Sequence, residues 1–140
     1  MPWPSASHSS PDRHIRARQL GKVLLSPVDV VLDPENTVQP DIVFVAAGNL
    51  GIIQRRAIFG APDLLVELVS PSSVRRDRYD KKALYARFGV KEYWIGDPAN
   101  KALEILELKG DNYELHCCAE EKGKLASPLL GLEFDLSEVQ

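Results

Sequence analysis

The stretch Asp63-Leu64-Leu65-Val66-Glu67-Leu68-Val69 constrains this chain more than any other. Its apolar residues run together instead of alternating. That pattern reads as a central strand covered on both faces. One residue breaks the pattern, and that is Glu67. A carboxylate inside such a strand is costly unless it is paired with a cation or bound to a metal. An arginine from the next segment, Arg75 or Arg76, is one candidate partner, and a metal ion is the other.

The flanking sequence places this strand in a mixed α/β domain. Ser70 to Ser73 stops the strand and offers a helix N-cap. Residues 74–88 carry a helical pattern that ends at Gly89. Residues 90–95 form the next strand. Residues 102–108 and 113–118 form a hairpin, and a last short strand lies near 129–134. Before the central strand, residues 22–25 and 28–32 are short strands split at Ser26-Pro27. Asp33 to Asn36 is a turn, and Asp41 opens a strand over 41–45. These first strands are expected to form an antiparallel hairpin or meander. Residues 46–60 read as a loop with one short helix. Residues 1–13 read as a loosely attached tail and Arg13 to Leu20 as two helical turns. The division expected is a tail and residual helix over 1–20 and one domain over 21–140.

Two carboxylates and a lysine carry the chemistry. Asp41 follows Pro40 at the head of one strand, Glu67 lies in the next strong one, and Lys81 lies on the helix after it. Acidic oxygens suit Mg²⁺, a hard cation that keeps several waters. Such an ion polarises a phosphate and lowers the pKa of a bound water. A nearby lysine steadies developing charge. The carbonyl of Leu68 could add a third oxygen. These residue types in this order point to phosphodiester hydrolysis. Taken singly, each has an ordinary reading: Asp41 as a turn residue, Glu67 as half of an ion pair, Lys81 as a solvated helix residue.

The segments Gln39-Pro40-Asp41-Ile42-Val43-Phe44-Val45, Ala61-Pro62-Asp63 through Ser73, Asp77-Arg78-Tyr79-Asp80-Lys81 with Tyr85, and Gly89-Val90-Lys91-Glu92-Tyr93-Trp94-Ile95-Gly96-Asp97-Pro98 together resemble the Uma-type restriction endonuclease family. This is a bacterial group within the PD-(D/E)XK nuclease superfamily. The resemblance covers about residues 21–136. It implies an α/β, restriction-endonuclease-like mixed central sheet with flanking helices and a C-terminal β-hairpin extension. It further implies cleavage of DNA with Mg²⁺ (or Mn²⁺), and a homodimer. By position, Asp41 matches the motif aspartate and Glu67 the motif acid. The superfamily's lysine would fall at Val69, and the family moves it to the following helix, where Lys81 matches. Lys82 faces about 100° away. Lys81 shares its face with Asp77 and Tyr85, four residues to either side. Pro62-Asp63 imitates the motif but lies only four residues before Glu67 in the same strand. The departure from the family is a shortened N-terminal helix. That loss would bare apolar surface, a gap that a second copy could cover.

Charge fits this reading locally. Seventeen basic residues stand against 20 acidic ones, a net charge of −3, which excludes a polybasic nucleic-acid coat. The positive charge gathers at Arg75, Arg76, Arg78 and Lys82 on the helix and at Arg55 and Arg56 in the 46–60 loop. All six are candidates for phosphate contact. They serve equally a nuclease fold that binds DNA or a protein partner without cutting. Tyr93 and Trp94 read as core, and the scattered histidines take no role. There is no phosphate-cradling glycine loop, serine nucleophile elbow or zinc spacing. No apolar run reaches the ~18 residues of a membrane span. No secretory signal is recognisable, and the adjacent Cys117 and Cys118 read as reduced strand residues. A cytoplasmic protein is expected.

Overall fold

The computed structural model describes residues 11–69 and 74–139, with the side chains of Asp12 and residues 74–79 left aside. The N-cap expected at Ser70 to Ser73 and residues 1–10 of the tail expected over 1–13 lie outside the described residues, while residues 11–13 open a helix instead of continuing the tail. The elements run α1 (Pro11–Arg18), β1 (Gly21–Leu25), β2 (Val30–Asp33), β3 (Asn36–Val38), β4 (Ile42–Ala46), β5 (Ile58–Phe59), β6 (Leu64–Leu68), α2 (Val74–Arg87), β7 (Glu92–Asp97), β8 (Ala102–Lys109), β9 (Asn112–Glu120), β10 (Lys124–Ser127) and β11 (Leu132–Asp135). Short 3₁₀ turns cover Ala47–Ile52 and Leu136–Val139.

The centre is a six-stranded mixed sheet of order β1-β4-β6-β7-β8-β9. β6 and β7 run parallel, joined by the crossover helix α2, and the other pairs are antiparallel. As the unbroken apolar run requires, β6 lies between two neighbours and both faces are buried. Period-two alternation sends Leu64 and Val66 to one face and Leu65 to the other. The first face packs Ile42, Phe44, Trp94 and Ile105 against Ile15 of α1 and the C-terminal segment. The second packs Val43, Val45, Leu65, Tyr93 and Ile95 against Tyr85 of α2 and against Val30 and Ile58.

Three expectations are modified. The early strands do not form one meander. β1 pairs with β4, while β2 leaves to build a small sheet of order β3-β2-β5 over the α2 face. Val30 is fully buried there, and burial of β2 on that face outweighs local pairing with β1. β3 and β10 are elements that their short, weakly alternating sequences did not announce. The short α1 does not bare the sheet face behind it. Leu125, Leu130, Phe134, Leu136 and Val139 close that face from the C-terminal side, and His14 Nε2 donates to the Leu130 carbonyl at 2.7 Å. A homodimer therefore gains no argument from an uncovered face.

Gly21 is required by close approach. A Cβ there would lie 2.0 Å from the Val45 carbonyl oxygen across the β1–β4 pair. Gly21→Ala is expected to cost stability at the upper end of the roughly 1–3 kcal/mol of overpacking, because the clash is with backbone that cannot rotate away. Urea unfolding followed by far-UV circular dichroism measures it.

Candidate active site

Alternation along two adjacent strands builds the site. On the α2 face, the residues of β4 are Val43 and Val45 and that of β6 is Leu65. One step of two further toward the same end of the sheet, these columns reach Asp41 and Glu67. The face is apolar in its middle and acidic at this end. Asp41 stands just before β4. Its backbone N–H donates to the Val66 carbonyl at 3.2 Å, and its Oδ2 accepts the Leu68 N–H at 2.7 Å. These two contacts bracket Glu67. Val69 N–H donates to Gly96 on the β7 side, so by strand alternation the backbone groups of Leu68 face the Asp41 side.

Glu67 is only 4% exposed. Its Oε1 accepts from Lys81 Nζ at 2.6 Å. Its Oε2 accepts from the hydroxyls of Tyr85 at 3.0 Å and Tyr93 at 3.1 Å. Lys81 and Tyr85 are four residues apart on one face of α2, which is why both arrive together. The two tyrosine rings meet edge to face, with centroids 5.0 Å apart. Burial first, and then the charge of Glu67, hold the Tyr85 phenol far above its ordinary pKa. The phenol therefore stays protonated and acts as a donor to the carboxylate.

Among the described residues, the cation beside Glu67 is Lys81. The side chains of Arg75, Arg76, Asp77 and Arg78 lie outside the described residues, although the backbone there is helical. Lys82 is half-buried and faces a different cleft, lined also by Arg87 and Tyr113. Arg55 and Arg56 are exposed in the loop after the 3₁₀ turn. Asp63 does not join Glu67. Its Oδ2 accepts from Ala46 N–H and from Asn49, and Lys91 stands 3.6 Å from its Oδ1. It ties the loop after β4 to the start of β6.

Sequence reasoning missed Tyr93, which looked like plain core and is fully buried. A signal was present. β7 follows a helix directly after β6, which implies parallel pairing, and a polar-tipped residue in such a strand needs a partner. Trp94 faces the other way and does belong to the core, where its ring stacks on Phe134 at 5.5 Å.

The donors at this end of the sheet are all oxygens: the Asp41 and Glu67 carboxylates and the Leu68 carbonyl. Asp41 Oδ1 has no partner among the described residues. Such a set fits a hard ion, Mg²⁺ or Mn²⁺, better than a softer one. No group of three or more His, Cys, Asp or Glu side chains suited to a metal occurs among the described residues. An ion here would need waters to complete its shell, as Mg²⁺ ordinarily does. Cys117 and Cys118 are free thiols remote from this set in sequence, half-buried and exposed respectively.

The site is thus one end of a mixed α/β sheet, where two carboxylates from adjacent strands meet a lysine from the crossover helix. Comparison with known proteins names the family. Residues 10–137 match the Uma2 family, described as "Putative restriction endonuclease", and the chain belongs to that family. A crystal structure of a "putative nuclease belonging to DUF820" from Anabaena variabilis has the same fold, with a TM-score of 0.70 and 14% identity. The match covers 92% of this chain and 73% of that one. A comparison with curated proteins returned no match. No helix among the described residues is long and apolar enough to cross a membrane.

Proposed function

We propose that this chain is a nuclease that hydrolyses DNA phosphodiester bonds with Mg²⁺ or Mn²⁺. The observation that carries the reading is Glu67: a buried carboxylate bracketed by the contacts of Asp41 and met by Lys81 at 2.6 Å. Asp41, Glu67 and the Leu68 carbonyl would hold the ion. The ion supplies polarisation of the phosphate and a bound water of lowered pKa. Lys81 brings the only positive charge that touches Glu67 among the described residues, and it is placed to offset charge as the phosphate oxygens develop it. Tyr85 and Tyr93 fix the second oxygen of Glu67, so its free orientations are already restricted before substrate arrives. Arg55, Arg56, Lys82 and the arginines of the first turns of α2 are the candidate phosphate contacts. The resemblance to the family favours a homodimer.

One observation favours a second reading. Both oxygens of Glu67 already have donors, so the carboxylate is compensated without any ion. A nuclease fold that binds DNA or a partner without cutting would need nothing more. Nicking of supercoiled plasmid separates the two. The wild type is expected to nick with Mg²⁺ or Mn²⁺ and to stop when EDTA removes the metal. Lys81→Met is expected to slow nicking by about 10²-fold, the usual loss for one electrostatic stabiliser. A folded wild type that nicks no faster with metal than a protein-free control would leave the non-catalytic reading standing.

A further inference from the structure

We propose that the cleft beside Asp41 takes one unpaired nucleotide of the substrate strand, so that the protein acts on single-stranded or frayed polynucleotide in preference to a closed duplex. The proposal rests on the nuclease reading and specifies its substrate form. The cleft is about 340 Å³ and lies between the end of β1 and the loop after the 3₁₀ turn. It opens at the catalytic end of the sheet. Leu25 pairs with Ile42, the Ser26 N–H donates to the Asp41 carbonyl at 2.9 Å, and Gln39, two residues before Asp41, lines the wall.

Its lining has two characters. Leu25, Pro27 and Ile53 give an apolar wall, and Leu25 is 60% exposed at the rim. Arg55 and Arg56 also line it, exposed and without an ion pair among the described residues. The one acid in the lining, Asp29, is engaged by Gln39 Nε2 at 2.6 Å. A ligand that matches has a flat apolar face and a phosphate. The volume is at the small end of the roughly 300–1,000 Å³ range for ligand pockets, enough for one such unit. A base inside a duplex has both faces covered by its neighbours, so only an unpaired base can lay a face on Leu25 and Pro27. The arginines would then hold the phosphates on either side of it.

The test uses the full chain with Mn²⁺ and one labelled oligonucleotide sequence offered as single-stranded DNA, as single-stranded RNA and as blunt duplex DNA. Single-stranded DNA is expected to be cut at least tenfold faster than the duplex. Equal cutting of RNA would also support the cleft, because the wall reads a base face and not a sugar. The double substitution Arg55→Ala/Arg56→Ala is expected to raise KM on the single strand tenfold or more. It should also flatten the log–log salt dependence by about 1.4, at about 0.7 for each phosphate no longer neutralised. Leu25→Glu, at a position 60% exposed, puts a like charge where the base would lie and should erase the preference for the single strand, with a thermal melt checking that the variant is folded. Lys109→Ala, on the far hairpin, serves as the unaffected control. Equal rates on single strand and duplex, or a double variant indistinguishable from the control, would overturn the cleft while leaving the nuclease reading intact. A folded wild type that cuts none of the three would overturn both.

Discussion

Glu67→Gln is expected to lower metal-dependent cleavage by about a thousandfold or more while the protein stays folded. The amide keeps the shape and can still accept from Tyr85 and Tyr93, so the buried hydroxyls are not orphaned. What it loses is charge. Lys81 Nζ loses its anionic partner, and an ion would have one carboxylate fewer. Several kcal/mol of metal-derived stabilisation correspond to about three powers of ten in rate. The measurement is a plasmid or oligonucleotide cleavage rate beside a thermal melt. Near wild-type cleavage by a folded Glu67→Gln protein would show that Glu67 is a structural anion and move the site elsewhere.

The second large effect concerns the other buried glutamate. Glu92 is 1% exposed and lies at the opposite end of β7, on the opposite face. Its Oε1 accepts from Trp94 Nε1 at 3.0 Å and from Ser127 Oγ at 2.7 Å, and its Oε2 accepts from Leu129 N–H at 2.7 Å. It thereby ties the C-terminal segment to the sheet, and that segment closes the face that α1 only partly covers. Glu92→Ala would leave three donors without their acceptor, at about 1–3 kcal/mol for each one left buried. A loss of roughly 3–5 kcal/mol is a large part of the stability of a domain this size. The expected fall in Tm is about 10 °C or more. Cleavage per folded molecule, measured well below the new Tm, should match wild type. An unchanged Tm would mean that the donors find water instead and that the clamp is not needed.

The two glutamates show what the sequence could and could not announce. Glu67 stood out because it interrupts an apolar run, and such a run has one cheap explanation, a strand buried on both faces. Glu92 opens a strand, where a charged residue is ordinary, and nothing local marked it. Its burial depends on Ser127 and Leu129, more than thirty residues away. Lys81 was legible for a similar local reason, because helical spacing aligns it with Tyr85. Tyr93 was not, because its role follows from parallel pairing of β7 with β6. The course of β2 was also hidden. A short strand pairs wherever its apolar side is best buried, and that place was the face beneath β4 and β6 and not the neighbour in sequence.

By itself the sequence determined the α/β class, the central strand and the crossover helix, and it marked Asp41, Glu67 and Lys81 as candidates. Periodicity and the cost of a buried charge are local properties, readable from residue type and spacing. Only the tertiary structure decided who satisfies Glu67, how the thin N-terminal cover is made good, and which loop stands beside Asp41. Those outcomes depend on contacts between residues far apart in the chain, and such contacts are fixed by the packing of the whole sheet.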